Sequence, residues 1–188
     1  MTPHIYLASR SPRRQELLRQ VGVRFEVVEA DVDEQPRPGQ DPADYAGAMA
    51  LAKARAARPP QPLPVLGADT DVVVDGAILG KPRDRADALA MLALLANRTH
   101  EVYSAVAVVL GARAETALSV TRVSFGAVEP EQARAYWDSG EPADKAGAYA
   151  IQGLGARFVR EIHGSYSGVV GLPLHETLEL LARFGVRP

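Results

Sequence analysis

Pro64-Val65-Leu66-Gly67-Ala68-Asp69-Thr70-Asp71-Val72-Val73-Val74-Asp75-Gly76 is the stretch on which the fold turns. Its apolar runs, Pro64 to Ala68 and Val72 to Val74, read as strand, and Asp75-Gly76 reads as a hairpin turn. Asp69, Thr70 and Asp71 split the runs, so carboxylates sit inside a sheet region. Side chains alternate along an extended chain, which turns Asp69 and Asp71 to the same side. Two such carboxylates are able to share one divalent ion, because a hard cation such as Mg2+ is held by one or two carboxylates plus substrate phosphates. A turn residue followed by a surface aspartate is the plain structural alternative.

Upstream, His4 to Ser9 reads as a short strand and Ser11-Pro12 opens a helix, with Ser11 at the N-cap and Leu17, Leu18 and Val21 on its apolar face. Gly22 ends it. Phe25 to Val28 reads as a second strand, and Asp31 to Gln40 as an acidic, proline-containing loop. Asp41-Pro42 caps an alanine-rich helix running to Arg58, and Pro59, Pro60 and Pro62 make a turn. Downstream, Arg85 to Ala96 is helical, with Leu89, Leu92 and Ala96 on one face. Glu101 to Leu110 and Glu115 to Phe125 form a hairpin around Gly111. Pro130 to Ser139 is a further helix, Tyr149 to Ile151 and Arg157 to Ile162 are strands, and Pro173 to Phe184 is a last helix with Leu174, Leu178 and Leu181 inward. Hairpins mixed with crossovers predict an α/β fold with a mixed sheet rather than a purely parallel one.

The 188 residues, 47% hydrophobic and 23% charged, suit one domain, residues 1–188, that buries its own core without a staple. Any metal is then catalytic rather than structural. The chain has no cysteine, which excludes disulfides, thiolate zinc sites and cysteine nucleophiles and fits a reducing cytoplasm. Met-Thr-Pro-His and the short apolar run before Arg10, Arg13 and Arg14 do not make a signal peptide or a membrane span. A net charge of −2 offers no global basic field for nucleic acid.

Anion chemistry must therefore come from local clusters. Ser9-Arg10-Ser11-Pro12-Arg13-Arg14 places arginines at a helix N-terminus, which already carries partial positive charge. Phosphate oxygens accepting from the amides, serine hydroxyls and guanidinium forks would turn that cost into a binding site. The alternative is a solvated helix start. Gly80-Lys81-Pro82-Arg83 follows the hairpin and is positioned to bring a cation back over the acidic site. Lys53 is either another phosphate ligand or a surface lysine. Glu29, Asp31, Asp33 and Glu34 read on their own as a solvated acidic run. The run from Glu141 to Gly155 has glycines and charges together, as a turn has, or a backbone that approaches a ligand. No Walker or dinucleotide glycine pattern is present. The histidines at 4, 100, 163 and 175 show no ligand spacing, and Ser104, Ser165 and Ser167 lack a nucleophile-elbow context.

Together these segments resemble the Maf family over nearly the whole chain. Leu7 to Leu18 is similar to the family's N-terminal signature, with Arg10 at a place often held by a small residue. Lys53-Ala54-Arg55-Ala56, Gly67-Ala68-Asp69-Thr70, Gly80-Lys81-Pro82, Glu141 to Gly155, and Gly171-Leu172-Pro173-Leu174 follow in the family's order. The resemblance implies a fold like the inosine triphosphatase group: a curved mixed sheet flanked by helices, two lobes and a central cleft. It implies hydrolysis of a nucleoside triphosphate between the α- and β-phosphates with Mg2+ or Mn2+, and a homodimer. It assigns Asp69 the catalytic acid–base role, Glu34 with Asp69 the metal, and Lys53 and Lys81 the phosphates. Ser9, Ser11 and Arg14 join them at the substrate, and Arg13, Thr70 and Gln152 match positions linked to substrate choice. Ala148-Tyr149-Ala150-Ile151-Gln152-Gly153 is similar to the branch acting on dTTP and UTP rather than the one preferring 7-methyl-GTP. Asp71 departs from the family, which more often has an aliphatic residue there.

Two other classes compete. A non-catalytic nucleotide-binding regulator of septum formation would tolerate Asp69→Asn if it still bound nucleotide, and a nucleic-acid-binding module would bind with strong salt dependence.

Overall fold

The computed structural model describes residues 3–37 and 39–188. Met1 and Thr2 of the N-terminal reading and Pro38 of the 31–40 loop lie outside the described residues. Seven strands form one mixed sheet: β1 (Ile5–Leu7), β2 (Phe25–Val27), β3 (Val65–Val74), β4 (Ala77–Leu79), β5 (Thr99–Leu110), β6 (Arg113–Phe125) and β7 (Val159–His163). Their order is β2-β1-β3-β5-β6-β7, with β4 also on β3. β1 runs parallel to β2 and β3, and the other pairs are antiparallel. The helices are α1 (Pro12–Gln20), α2 (Pro42–Ala56), α3 (Arg85–Leu95), α4 (Pro130–Asp138), α5 (Tyr166–Val170) and α6 (Leu174–Arg183).

The opening stretch forms one strand, not two runs around a break. Val65 to Val73 stay in unbroken register with Val109 to Glu101 of β5, so Asp69-Thr70-Asp71 is paired through the backbone. Alternation then sorts its residues. Val65 joins Tyr6, Ala46, Ala50, Ala54, Ala105 and Ala107 in the core beneath α2. Leu66, Ala68, Val72 and Val74 enter the larger core on the opposite face, with Leu17, Leu18, Leu92 and Leu181. Asp69 and Asp71 fall on the α2 face and Thr70 on the other.

Small side chains let α2 lie close to the sheet, closest at Gly67. A Cβ there would stand 2.2 Å from the carbonyl oxygen of Ala50 and 2.7 Å from the amide of Ala54. Only glycine fits, and the resulting contact sets the height of Lys53 above the sheet.

The expected strand Tyr149 to Ile151 is not one; Tyr149 and Ala150 are irregular and Ile151 enters a turn. Gly147 and Ala148 both adopt positive φ, 66° and 57°, and the Ala150 amide donates to the Tyr136 hydroxyl instead of to a ladder. Short 3₁₀ turns at Glu141–Asp144, Ala146–Ala148 and Leu154–Phe158, and helix α5, complete this side. In α6 Leu180 and Leu181 are fully inward, while Leu174 and Leu178 are partly buried. No helix among the described residues is long and apolar enough to cross a membrane.

Candidate active site

The sheet topology itself opens a cleft. One edge of β3 is filled by β5, whereas the other pairs with β1 only at Val65 and Leu66 and with β4 only from Val72 to Val74. The edge from Gly67 to Asp71 therefore has no strand beside it. α1 starts just beyond the C-terminal end of β1, so its N-terminus, with Ser11, Arg13 and Arg14, borders this gap. A cavity of about 830 Å3 fills it, and Ser9, Ser11, Arg13, Arg14, Glu34, Lys53, Asp69, Thr70, Lys81 and Gln152 all line it. That volume is within the range of small-molecule sites.

On the α2 face the charges interlock. The Lys53 ammonium stands 2.6 Å from Asp69 Oδ1 and 2.7 Å from Glu34 Oε1, and Lys81 lies 3.6 Å from Glu34 Oε2. Neither the surface-lysine account of Lys53 nor the turn account of the aspartates survives, because Lys53, Asp69 and Asp71 are all buried. Glu34 is likewise no longer part of a free acidic run, and its carboxyl lies below the ordinary range: burial pushes it up, but Lys53 and Lys81 outweigh burial. Asp71 is pushed up to about 8 by burial, then by the charge and hydrogen bonding of Asp69. Its Oδ2 is buried without a partner.

On the other face Arg14 is spent largely inside the protein. Its Nε donates to the Gly171 carbonyl at 2.8 Å, and its remaining nitrogens reach Ser9 Oγ at 3.2 Å and Thr70 Oγ1 at 3.4 Å. Burial lowers its pKa from the usual arginine value. Arg13 Nε donates to the Val170 carbonyl at 3.3 Å. Ser11 occupies the N-cap position without bonding the helix through its side chain, which leaves its hydroxyl free of a capping duty.

Sequence reasoning passed over several residues here. Ser104 is the direct neighbour of Thr70 in the ladder and lies 3.1 Å from its hydroxyl, a relation visible only once the β3/β5 register is known. The Tyr45 hydroxyl donates to the Glu34 carbonyl at 2.8 Å and anchors the acidic loop to α2. Lys145 lines the cleft and pairs with Asp144. The glycine-rich composition around it was the available signal.

The family model described as Maf-like protein matches residues 4–184. The chain belongs to the Maf-like protein family. Among curated Maf-like relatives, a dTTP/UTP pyrophosphatase of Saccharophagus degradans is 52% identical over 187 residues, covering 97% of this chain and 89% of the relative. A dTTP/UTP pyrophosphatase of Methylobacillus flagellatus is 51% identical over 185 residues, covering 97% and 93%. Among solved structures, a HAM1 protein from Coxiella burnetii aligns with a TM-score of 0.48 at 20% identity, over 66% of this chain and 73% of that one.

The donors along the gap suit a hard cation. Asp69, Asp71 and Glu34 offer only oxygen, and the orphaned Asp71 Oδ2 is a buried acceptor with nothing to accept from. Among the described residues no cluster of three or more His, Cys, Asp or Glu stands ready to hold a metal.

Proposed function

We propose that this protein is a nucleoside triphosphate pyrophosphatase that cuts dTTP and UTP between the α- and β-phosphates, releasing the monophosphate and pyrophosphate. The observation that carries the reading is the buried Lys53–Asp69 pair at the unpaired edge of β3, with Glu34 and Lys81 beside it. Relatives about half identical over nearly full length and named dTTP/UTP pyrophosphatase support the substrate class.

In this reading the triphosphate lies along the gap. The α1 N-terminus, Ser9, Ser11 and Arg13 meet phosphate oxygens from one side, and Lys53 and Lys81 meet them from the other. Arg14 acts mainly through Gly171, Ser9 and Thr70, fixing the walls on which the substrate rests. Asp69 accepts a proton from the water that attacks the α-phosphorus, and pyrophosphate leaves. General-base help of this kind supplies only ~10²–10⁴-fold, so most of the acceleration comes from cations aimed at the phosphates. Asp69 and Glu34 would hold Mg2+ or Mn2+, which when bound supplies further positive charge against the phosphate oxygens. Gln152 reads the pyrimidine, since its amide offers one donor and one acceptor group to an imide edge. Thr70 and Arg13 shape the same choice. A homodimer in the cytoplasm completes the proposal, and light scattering tests the dimer.

The test is to incubate the protein and an Asp69→Asn variant with Mg2+ or Mn2+ and a panel of nucleoside triphosphates, measuring pyrophosphate and orthophosphate separately. Pyrophosphate led by dTTP and UTP and abolished in the variant is the expected result. Orthophosphate would mean the wrong bond, and silence on every nucleotide would favour a binding regulator.

A further inference from the structure

Gln152 is exposed in the cleft at the tip of an irregular turn, yet the backbone after it is tied to one carboxylate and the backbone before it to a tyrosine hydroxyl that the same carboxylate holds. Glu141 Oε2 accepts from the Leu154 amide at 2.9 Å, and Oε1 accepts from the Gly155 amide at 3.1 Å and from the Tyr136 hydroxyl at 2.7 Å. The same Tyr136 oxygen accepts from the Ala150 amide at 3.0 Å. The amides at 150, 154 and 155 thus converge on a pair of side chains that begins at α4 and reaches under the turn.

The fit is steric as well as polar. A Cβ on Gly153 would stand 2.1 Å from Glu141 Oε2, and one on Gly155 would stand 2.6 Å from the Tyr136 hydroxyl. At Gly153 a side chain would displace the carboxylate, and at Gly155 the Ala150 carbonyl oxygen, 2.7 Å from such a Cβ, leaves room only for glycine. Burial works against the Glu141 charge, but bonds from Tyr136, Leu154 and Gly155 prevail and lower its pKa. Glu141 and Tyr136 themselves do not line the cleft; the turn they hold does, through Ala150, Ile151 and Gln152.

We propose that Glu141, backed by Tyr136, is a positioning residue for base selection: it fixes the turn so that the Gln152 amide stands in one orientation toward the substrate. This rests on the reading of Gln152 as the base contact. An amide recognises an imide edge only if its donor and acceptor are aimed, because a misaimed hydrogen bond weakens steeply with angle. A free turn would let Gln152 swing away from the imide edge, and the preference for uracil or thymine over cytosine would weaken.

The experiment compares kcat/KM for dTTP and dCTP, with Mg2+, in wild type, Glu141→Gln, Gln152→Ala and the double variant, with Tyr136→Phe as a milder second probe. Amide hydrogen exchange is followed at Leu154 and Gly155, with the β5 amides as a check that each variant is folded. Glu141→Gln keeps the shape and removes the charge, and should cut the preference for dTTP by about tenfold, the loss of roughly one charge-assisted hydrogen bond. The loss should appear mainly in KM, with faster exchange at Leu154 and Gly155, and no further drop in preference when Gln152 is already alanine. Tyr136→Phe should move the preference in the same direction by less. Preference lost in Gln152→Ala but kept in Glu141→Gln and Tyr136→Phe overturns the proposal alone. Preference unchanged in Gln152→Ala overturns the base-contact reading and the proposal with it. Equal loss of kcat on both nucleotides, additive with Gln152→Ala, makes Glu141 merely structural.

Discussion

The Lys53 ammonium lies 2.6 Å from Asp69 Oδ1, and both side chains are about nine-tenths buried, 11% and 10% exposed. Such a pair is rarely kept for stability, because desolvating two charges offsets most of their attraction. Here Glu34 shares the same ammonium at 2.7 Å, so one lysine holds two carboxylates close to each other at the open edge of β3. The arrangement is the charge assembly that the proposed triphosphate site calls for.

Lys53→Met tests that. With the ammonium gone, Asp69 loses its ion-pair partner and Glu34 keeps only Lys81 at 3.6 Å, and breaking a buried pair in this way costs about 3 kcal/mol. Turnover should fall by roughly 10²-fold or more, as when one transition-state donor is removed. Added Mn2+ should raise the melting temperature of the variant more than that of the wild type, by preferential binding to the folded state. A variant with wild-type turnover would remove Lys53 from the chemistry.

Gly67→Ala probes the same pair from a distance. Its Cβ would meet the Ala50 carbonyl oxygen at 2.2 Å, and backbone cannot rotate out of the way. Helix α2 must lift, at a cost of about 1–3 kcal/mol. Lifting α2 carries Lys53 away from Asp69, and a misplacement of about 1 Å can cost ~10²-fold in rate. Both the melting temperature and turnover should drop; loss of stability with unchanged turnover would uncouple helix height from the site.

Asp71→Asn should separate stability from activity. Asp71 is buried beside Asp69, with Oδ2 unpartnered, and burial and the neighbouring carboxylate hold its pKa at about 8. Asparagine is neutral without the proton that Asp71 must take up on folding and still offers Asp69 a donor, so the ligand-free protein should gain about 1–2 kcal/mol near neutral pH. If Asp71 is a cation ligand, the Mg2+ concentration for half-maximal turnover should rise severalfold. An unchanged Mg2+ requirement would exclude it as a ligand.

The alternation of Asp69 and Asp71, the hairpin after them, the cap at Asp41 and the helix start at Ser11-Pro12 are short-range features, and the sequence carries them plainly. The mixed sheet followed from hairpins interleaved with crossovers. Less legible was the fact that β1 and β4 leave a gap along the same edge of β3, because that depends on strand order, which no local pattern encodes. The segment Tyr149 to Ile151, just before Gln152, reads as strand and is irregular for a similar reason. Tyr149, Ala150 and Ile151 have the composition of a strand, but the Ala150 amide donates to Tyr136 of α4, and the Leu154 and Gly155 amides that follow donate to Glu141 in the turn after it. Ser104 entered the site through the β3/β5 register alone.

His100 supplies the pH dependence of the fold. It is 2% exposed, its Nε2 lies 2.8 Å from the Tyr149 hydroxyl, and its Nδ1 has no partner. The rings of Phe125 and Tyr149 stand edge-on to it at 5.0 and 5.4 Å. Burial pushes its pKa down to about 4. Above the unfolded value of about 6.5 both states hold a neutral ring, so stability does not change with this group. Between about 6.5 and 4 the unfolded chain gains a proton that the folded one refuses, and stability falls with pH by about 3 kcal/mol in total. His100→Gln keeps a partner for Tyr149 and cannot take up that proton. Urea unfolding at pH 7.5 and pH 5 should therefore show a smaller acid-induced loss in the variant, with all carboxylate effects common to both proteins. An equal loss would mean that His100 is protonated inside the fold, and that the Tyr149 side of the cleft opens enough to let water reach it.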